Sequence, residues 1–423
     1  MRIGVIGSGI AGLVSARKLC DAGHQVTLFE RQSSVGMDAH SLDISTADEG
    51  RTVRADVPSR MFNEAQWPSL WNLYNDLGIE STGVCSSQTF SHFPGNVFLT
   101  LEQAIKPTAL IGKLLDRKSQ RILTAAAKLQ KTGAQDLQQD DQLASLTLGE
   151  YLKQRAYSDE FVREFLYPTL SSTVFTCSFS AVANYPAKTA LQILQNLTRE
   201  TTLLKTRFGT QDATTRMLQA DIELRLSCGV KKVECLDDQV RVRLPDGTTE
   251  FFDHVIVATQ ANTALKLVKD LSNNEQEILG SFQYESLSVY VHTDTDWMPN
   301  QRSQWGTFNM LVSEDRNAAM CSVWLNRFHT DWQIDQPVFQ TINAFAQPDP
   351  EKILAECVMQ RPIITPHSNQ GWDAIDTLHQ QPNRRIWFCG SYAGRGTPLL
   401  ESGVMSALSV VEAVDTARVG SVS

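Results

Sequence analysis

Three glycines near the N-terminus have the spacing of a phosphate-binding turn. The segment Gly7-Ser8-Gly9-Ile10-Ala11-Gly12 follows an apolar stretch, Arg2 to Ile6, and precedes a helical pattern, Leu13 to Leu19. At such a turn the free N–H groups and the positive dipole of the helix start attract phosphate oxygens. The first glycine permits the tight turn, the second lets the backbone approach a pyrophosphate, and the third lets the helix pack on a sheet. The pattern therefore predicts a strand, a dinucleotide clamp and a helix in direct succession.

One acidic residue adds the sugar-binding part of this chemistry. Gln25 to Phe29 is typical of a second buried strand, and Glu30 stands at its end, about 20 residues after the clamp, as the dinucleotide fingerprint requires. A carboxylate there accepts hydrogen bonds from the ribose of an adenosine and would repel a 2′-phosphate. The pattern favours NAD or FAD over NADP, and it does not separate NAD from FAD.

Small residues near the other end of the chain bear on that choice. Arg385 to Tyr392 predicts a buried strand that runs into a turn, and Leu399 to Leu408 predicts a helix with small residues at helical spacing. Glycine and small residues allow a second close approach of the backbone to a bound group. A nucleotide pocket built from both chain ends is longer than NAD needs, so these segments favour FAD.

Composition and charge exclude several classes of protein. The 423-residue chain has 42% hydrophobic residues and a formal net charge of −9, which predicts two or three domains and argues against a general nucleic-acid binder. The eight cysteines are scattered, without a C-x-x-C pair or a histidine at ligand spacing. We therefore expect no metal site, and reduced thiols in a cytoplasmic protein. No apolar stretch approaches the roughly 20 residues of a membrane-spanning helix.

The chain resembles the flavin-containing amine oxidase superfamily, which also includes phytoene desaturases and protoporphyrinogen oxidases. The two terminal segments carry the resemblance, together with Cys228 to Thr259, which is similar to the family's β-meander and return strand. Asp56 to Phe62 and Trp305 to Asn309 extend it over nearly the whole chain, to a bacterial and fungal subgroup of predicted NAD/FAD-binding proteins. The resemblance implies bound FAD, which we expect to be non-covalent, and a small-molecule substrate of apolar character.

The fold implied by the resemblance is α/β. A Rossmann-like FAD-binding domain with a parallel sheet receives an inserted α+β substrate domain with an antiparallel sheet and helices. We expect the FAD-binding domain at 1–79, 203–272 and 374–423, and the substrate-binding domain at 80–202 and 273–373. In the latter the patterns predict helices at Thr147 to Leu152, Glu160 to Leu170 and Thr189 to Leu197, with Pro168 and Pro186 as breaks, and strands at Leu287 to Val291, Trp305 to Val312 and Ala319 to Trp324.

The resemblance also implies contacts to FAD from both chain ends and from the middle of the chain. Val230 is expected to meet the adenine through its backbone, and Ser59 to Met61 to bring the backbone close to the flavin ring. The residues that we expect to bind the cofactor are Gly7, Ser8, Gly9, Ile10, Ala11, Gly12, Glu30, Arg31, Met37, Asp38, Ala39, His40, Ser59, Arg60, Met61, Val230, Ala258, Thr259, Gly390, Ser391, Ser402, Gly403 and Val404.

One loop departs from the family pattern. Where relatives carry a Gly-Gly pair followed by a basic or polar residue, this chain has Gly36, Met37 and Asp38. Methionine adopts a positive φ less cheaply than glycine, so the loop should run differently or be strained. An aspartate facing a pyrophosphate is unfavourable unless it points away or binds a ribityl hydroxyl. We therefore expect backbone contacts from Met37 to His40, with the phosphate charge met elsewhere, by Arg60.

Two residues are candidates for a part in catalysis. Arg60 near the flavin N1 or O2 would stabilise the anionic reduced flavin, and pairing with a surface carboxylate is an equally good interpretation. Tyr392 would form an aromatic wall beside the flavin, and its alternative is packing against the turn. No strong base is required, because a substrate can surrender hydride directly to flavin N5.

Three hypotheses for function follow. The first is an FAD-dependent oxidoreductase, amine oxidase-like, that transfers hydride from an apolar or amine-bearing small molecule to flavin N5. The second is a flavin-dependent desaturase or isomerase that acts on a lipid or polyene. The third is a non-catalytic FAD-binding protein.

A basic stretch lies in the expected substrate-binding domain. Residues 105–131 carry seven lysines and arginines against a single acid. A basic amphipathic helix would contact an anionic membrane or lipid headgroup, although a solvated helix face is the commoner explanation. We expect 132–142, rich in glutamine and aspartate, to be a loop.

Overall fold

The computed structural model describes residues 1–46, 50–101, 116–139, 143, 145–197 and 202–420, which contain two large sheets. The first is a five-stranded parallel sheet, as predicted. Its strands are, in spatial order, Ile386–Phe388, His254–Val257, Arg2–Ile6, Gln25–Phe29 and Ile222–Arg225. The three central strands are buried on both faces, which explains why they are continuously apolar rather than alternating.

Two helices from opposite ends of the chain pack together beside this sheet. They are Ile10–Asp21, which follows the glycine turn, and Leu400–Gly420 near the C-terminus. A Cβ on Gly403 would stand 2.6 Å from Ile10 Cγ2, so the small residue lets the helices approach closely. The predicted meander is also present, as the antiparallel strands Lys232–Cys235, Val240–Arg243 and Thr249–Phe252.

The second sheet has seven strands. Their order is Ile353–Ile363, Gln283–His292, Phe339–Ile342, Ala319–Trp324, Phe308–Val312, Gln88–His92 and Asn96–Leu101. It is antiparallel as predicted except for one pair, since Phe308–Val312 runs parallel to Gln88–His92. These two strands are far apart in sequence, so no hairpin sets their relative direction.

The remaining helices surround the two sheets and join them. They are Pro68–Asp76, Arg117–Gln139, Leu148–Gln154, Asp159–Phe161, Val162–Leu166, Tyr167–Thr169, Leu170–Val174, Phe179–Asn184, Ala187–Leu197, Gly209–Met217, Ala261–Leu267, Asn273–Gly280, Leu325–Phe328 and Ser368–His379. Single helical turns lie at Arg302–Gln304 and Pro350–Lys352, and two-stranded ribbons pair Leu42–Thr46 with Arg51–Ala55 and Ser81–Gly83 with Leu204–Thr206.

The prolines behave differently from each other in the predicted helices. Pro186 separates Phe179–Asn184 from Ala187–Leu197, which confirms it as a break. Pro168 is not a break, because the chain stays helical from Asp159 to Val174. Pro168 lies in the short α-helical segment Tyr167–Thr169, between two stretches of wider π-helix that accommodate a missing N–H.

The prediction of a loop at 132–142 is wrong over its described part. The helix Arg117–Gln139 continues through it, because tertiary contacts stabilise a polar segment of low intrinsic signal. Gly133 packs against Leu191, and Asp136 accepts hydrogen bonds from Tyr151 and Arg155 at 2.7 and 2.5 Å. Residues 140–142 of the predicted loop lie outside the described residues.

The basic stretch is described only from residue 116 onward, so 105–115 lie outside the described residues. Within the helix, Lys118 pairs with the buried Glu164, and Arg121 donates two hydrogen bonds to Glu160 at 2.7 and 2.8 Å. Two of the basic side chains that would contact an anionic membrane are therefore already paired with acidic side chains. In the described part of the chain, no helix combines the length and the apolar character that crossing a membrane requires.

The predicted domain boundaries stay a prediction, and the strands of the two sheets can be compared with them. All five strands of the parallel sheet fall within 1–79, 203–272 and 374–423, and all seven strands of the other sheet fall within 80–202 and 273–373. The helix Ser368–His379 crosses the expected boundary at 373.

Candidate functional site

The glycine turn lies between its strand and its helix, as predicted. Gly7 has a φ of +100°, and a Cβ on Gly12 would stand 1.8 Å from the Gly7 carbonyl oxygen, so both positions require glycine. Gly9 is the N-cap and faces open space, since no described atom lies within 4 Å of a Cβ built on it. The first turn of the helix carries no acidic residue. The positive helix end therefore faces a cradle that fits a pyrophosphate.

Glu30 is buried at the end of its strand and is held by the same turn. Ser8 donates its N–H and its hydroxyl to Glu30 Oε2 at 3.0 and 2.6 Å, and the Gln32 N–H donates to Oε1 at 2.9 Å. A carboxylate has about four acceptor positions, so one remains for a ribose hydroxyl. The arrangement fits the sugar contact expected from the sequence.

The departing loop takes a course without backbone strain. Met37 is not among the described residues with positive φ, and its side chain is buried in the apolar cluster beside the parallel sheet. Asp38 is buried, and its Oδ2 accepts a hydrogen bond from Arg54 Nη2 at 2.7 Å. Its Oδ1 is buried without a hydrogen-bond partner among the described residues. The carboxylate is thus neutralised by Arg54 and keeps an acceptor of the kind that a ribityl hydroxyl satisfies.

Arg60 is partly exposed and reaches the same loop. Its Nη2 donates to the Met37 carbonyl at 2.7 Å and its Nη1 to Thr210 Oγ1 at 3.1 Å. Within the described ranges no carboxylate oxygen comes within ion-pair distance of it, so the alternative of a surface ion pair is not observed. Burial lowers the pKa of His40, and the nearby charges of Arg60 and Arg31 lower it further. Two guanidinium groups therefore supply positive charge next to the loop Met37 to His40, where phosphate charge is expected.

The segment Ser59 to Met61 is fixed from the other sheet. The buried Gln340 side chain accepts the Ser59 N–H at 2.7 Å and donates to the Asp56 carbonyl at 3.0 Å. Ser59 Oγ is buried without a hydrogen-bond partner among the described residues. Gln340 was missed by sequence analysis, because a single glutamine in an apolar strand gives no signal of a partner so distant in sequence.

The C-terminal turn meets the glycine turn at one edge of the parallel sheet. Gly390 has a φ of +155°, and Ser406 Oγ bonds both its N–H and its carbonyl, at 3.1 and 2.9 Å. A Cβ on Gly7 would stand 2.9 Å from the Ala258 carbonyl oxygen, and one on Gly390 would stand 3.4 Å from that of Thr259. Ser406 is a further residue that sequence analysis missed, although the small residues at helical spacing were its signal.

The structure thus gathers most of the expected cofactor residues at the carboxyl ends of the parallel strands, where open α/β sheets bind nucleotides. Val230 is buried beside them, in the segment that connects to the meander. Ser402, Gly403 and Val404 are buried at the start of the C-terminal helix, so a contact from Val404, with 0% exposure, would have to come from its backbone.

Tyr392 lies in the core. Its side chain has 0% exposure, its ring packs edge-on against Phe282 at 4.9 Å, and its carbonyl accepts the Trp372 Nε1–H at 2.8 Å. A side chain that lines a ligand site exposes part of its surface in a structure without ligand. The geometry favours the alternative in which Tyr392 packs against the turn, and a role beside the flavin stays a prediction.

No group of three histidine, cysteine or acidic side chains suited to a metal ion occurs among the residues that the structure describes. All eight cysteines are free thiols. Burial raises the pKa of the Cys357 thiol to about 11 and of the Cys389 thiol to about 12, so neither is a ready nucleophile toward a flavin.

Comparisons with known proteins agree with this geometry. Residues 10–415 match the model of the family described as flavin containing amine oxidoreductase. Over short segments the chain is similar to 4,4'-diapophytoene desaturases. It is 41% identical to the enzyme of Staphylococcus haemolyticus over 69 residues, which are 15% of this chain and 14% of the desaturase. The match to the Staphylococcus aureus (strain Newman) enzyme is 42% over 55 residues, 12% of this chain and 11% of the relative.

Solved structures extend the likeness of fold to the whole chain. A fatty acid isomerase from P. acnes that produces CLA has a TM-score of 0.68 at 15% identity, covering 97% of this chain and 98% of its own. A putrescine oxidase double mutant has a TM-score of 0.66 at 12% identity, covering 98% and 99%. A putative protoporphyrinogen oxidase from Exiguobacterium sp. 255-15 has a TM-score of 0.62 at 16% identity, covering 98% of both chains.

The family match spans nearly the whole chain and coincides with a site whose glycines, Glu30 and buried acceptor fit FAD. The chain therefore belongs to the family of flavin-containing amine oxidoreductases, whose cofactor is FAD.

Proposed function

We propose that the protein is an FAD-dependent oxidoreductase that accepts hydride from an apolar or amine-bearing small molecule. FAD, when bound, supplies the hydride acceptor at flavin N5. The observation that supports the proposal best is the convergence of the two chain ends, since the Gly9 cradle and the Gly390 turn lie at one edge of the parallel sheet. We also propose that the expected cofactor residues bind FAD and that the chain divides into the two expected domains.

The positive charge of Arg60 lies next to the expected flavin segment. Arg60 uses two of its N–H groups on Met37 and Thr210, and a guanidinium has five, so donors remain for an anionic flavin edge. Two hydrogen bonds to the Gln340 side chain fix the backbone at Asp56 and Ser59, next to Arg60. Arg60 is therefore proposed as the residue that stabilises the reduced cofactor.

The apolar character of the substrate has separate support. Met61, Leu203 and Trp332 are half-buried and pack against the large apolar core next to the expected flavin segment. Apolar side chains with some exposure in a cleft provide the surface that an apolar ligand covers. Contact of the basic helix with a lipid surface is a weaker proposal, because Lys118 and Arg121 already have acidic partners.

A flavin-dependent isomerase or desaturase acting on a lipid is the second candidate. It is favoured by the likeness of fold to a fatty acid isomerase and by the short matches to desaturases. Such an enzyme needs the same cofactor site. An isomerase leaves the flavin with no net reduction, whereas a desaturase reduces it as an amine oxidase does and differs in the substrate that is oxidised.

Anaerobic mixing of the FAD-loaded protein with amines, fatty acids and polyenes separates the candidates. Bleaching of the flavin absorption by an amine supports the amine oxidase-like reaction, bleaching by a fatty acid or polyene supports a desaturase, and product without net bleaching supports an isomerase. A purified protein that is colourless and takes up no added FAD would contradict both. Heat denaturation tests the non-covalent attachment, because a covalent flavin would stay with the precipitated protein.

A further inference from the structure

A guanidinium lies in an apolar row on the inner face of the edge strand Ile353–Ile363. Alternate residues of this strand are half-buried, and those between them are mostly exposed. The inward row consists of Ala355, Cys357, Met359, Arg361 and Ile363, and its apolar members pack against the large apolar core. Arg361 is thus the one charged side chain of this row, whose other members are apolar.

Arg361 lacks a counter-charge. Its Nε donates to the Phe175 carbonyl at 3.0 Å, and its Nη2 is buried without a hydrogen-bond partner among the described residues. Glu285 stands opposite in the strand register, but its two oxygens accept the Ser178 N–H and hydroxyl at 2.8 and 2.7 Å. In the part of the chain that the structure describes, no carboxylate lies within 4.0 Å of the guanidinium. Burial lowers the pKa of Arg361, yet an arginine remains charged in proteins.

A second unsatisfied donor lies beside it. Tyr185 is 1% exposed, and the Ile364 N–H is directed at its hydroxyl oxygen, while the hydroxyl itself donates to no acceptor among the described residues. Its ring stacks on Phe175 with centroids 3.7 Å apart and planes within 8°, so the hydroxyl is fixed in direction. Arg361 and Tyr185 are neighbours through Phe175, because the guanidinium bonds its carbonyl and the phenol stacks on its ring. Two donors therefore meet without an acceptor, and buried polar groups in native proteins normally have one.

The turn that follows Phe175 contains strained backbone and borders a cavity. Thr176 and Asn343 have φ values of +49° and +58°, and Asn343 Nδ2 bonds the carbonyls of Ser171 and Cys177 at 2.6 and 3.1 Å. A cavity of about 390 Å³ adjoins the turn on the side of Cys177, Glu285 and Leu287, and neither Arg361 nor Tyr185 is among the residues that line it. Backbone strain that a fold retains is concentrated at ligand-binding places.

The same end of the strand touches the cofactor side of the molecule. Gln260 Nε2 donates to the Gln360 carbonyl at 3.2 Å, and the Ala261 N–H donates at 2.8 Å to the hydroxyl of Tyr284, which stands opposite Pro362. Gln260 and Ala261 directly follow the pair Ala258-Thr259 that we expect against FAD. In the strand register Ala355 stands opposite Val291, which also stands opposite Gln340, so the row that contains Arg361 lies on the sheet face from which Gln340 bonds Ser59.

We propose that Arg361 and Tyr185 bind the carboxylate of an apolar, chain-like acid, and that its hydrocarbon chain lies along Cys357 and Met359. The guanidinium offers a planar pair of donors that matches a carboxylate, and the phenol adds a third hydrogen bond. The inference deepens the proposed function, because it takes from it that the substrate is apolar and names its polar end.

Binding of a matched set of ligands to the FAD-loaded protein tests this proposal without requiring turnover. Titration calorimetry compares dodecanoate, methyl dodecanoate and dodecylamine on the unchanged protein and on Arg361→Met, Arg361→Lys and Tyr185→Phe. Arg121→Met is the control, since it removes an exposed arginine from another element of the expected substrate-binding domain. We expect dodecanoate to bind at least tenfold more tightly than its ester, and Arg361→Met to abolish that preference. Tyr185→Phe should weaken the acid several-fold, and Arg361→Lys should retain part of the preference.

Equal binding of the acid and the ester, no binding of the acid, or tighter binding of the amine would overturn the proposal. So would an unchanged acid affinity in Arg361→Met, provided that its FAD content and melting temperature match those of the control. These results do not depend on flavin chemistry. A protein that binds the acid through Arg361 and never reduces its flavin would contradict the proposed function alone, whereas flavin reduction by an amine without acid binding would contradict this inference alone.

Discussion

Glu30 and Arg361 each have a buried charged group, one in each of the two sheet regions. The two groups differ in how many of their hydrogen bonds the fold supplies. Glu30 accepts three hydrogen bonds from Ser8 and Gln32, which belong to neighbouring turns. Arg361 donates a single bond to the Phe175 carbonyl and keeps a buried nitrogen without a partner among the described residues. An ion that the fold satisfies stabilises the protein before any ligand arrives, whereas an unsatisfied ion destabilises it until one does. The nucleotide region is therefore pre-assembled around Glu30, and we infer that the edge strand around Arg361 depends on a ligand.

Removing the satisfied ion should have the largest effect. Glu30→Ala leaves the Ser8 and Gln32 donors without their charged acceptor, so we expect a loss of about 3 kcal/mol in the free energy of unfolding. FAD content should fall as well, because the ribose acceptor is lost. Urea denaturation of the FAD-free protein measures the first effect. Glu80→Ala removes an exposed partner of Arg207 and should cost less than about 1 kcal/mol, and an equal cost for both variants would refute the contrast.

Substitutions at two glycines of the turn should distinguish an effect on stability from an effect on cofactor binding. A Cβ on Gly12 meets the Gly7 carbonyl oxygen, so Gly12→Ala should cost about 1–3 kcal/mol of stability and most of the bound FAD. Gly9→Ala places its methyl group in open space at a φ of −67°, which alanine adopts freely. We expect it to leave the FAD-free protein within about 0.5 kcal/mol of the original and to weaken FAD more than tenfold. Fluorescence titration with FAD measures the affinity, and equal affinities for Gly9→Ala and the unchanged protein would show that Gly9 does not face the pyrophosphate.

Two buried histidines also differ in whether the fold supplies a hydrogen-bond partner, and both should make the stability depend on pH. Burial lowers the pKa of both His379 and His329 to about 3. His379 Nε2 accepts the Phe388 N–H at 3.2 Å, whereas His329 Nε2 has no partner among the described residues. Since the unfolded chain binds the proton with a pKa near 6.5, each neutral imidazole contributes stability above about pH 6.5 that is lost as the pH falls toward 3.

Substitution of either histidine should therefore reduce the slope of stability against pH between about 3 and 6.5, by about 1.4 kcal/mol per pH unit. At pH 7 His379→Phe should be less stable than His329→Phe. The first leaves the Phe388 N–H without its acceptor, whereas the Nε2 that the second removes has no partner among the described residues. Urea midpoints over this pH range provide the measurement. Unchanged slopes would mean that these imidazoles are already protonated in the folded protein.

The smallest effect should come from the unsatisfied ion itself. Arg361→Met and Tyr185→Phe remove buried donors that have no acceptor, and Arg361→Met also removes the bond to the Phe175 carbonyl, so we expect changes within about 1 kcal/mol of zero in either direction in the ligand-free protein. Differential scanning calorimetry of the FAD-loaded protein checks both variants. A loss comparable with that of Glu30→Ala would show that the guanidinium is a structural ion, and the two regions would then not differ.

Prediction from sequence succeeded where the determinants are local. The glycine turn, its strand and its helix lie within a dozen residues, and their spacing is set by the geometry of the turn. The capping box of Thr147 and Glu150 likewise places the start of the helix Leu148–Gln154. The prediction failed at 132–139, where the sequence is polar and the helix depends on contacts with residues such as Leu191 and Tyr151.

The amino-acid sequence by itself determined the dinucleotide clamp, the family and the identity of the strands, because each depends on periodicity and on residues that are close in the chain. Only the tertiary structure decided how charges are matched, since their partners come from distant segments: Arg54 for Asp38, Gln340 for Ser59, and no described carboxylate for Arg361. Hydrogen bonds and ion pairs depend on distances of a few ångströms in space, and a linear pattern does not contain those distances.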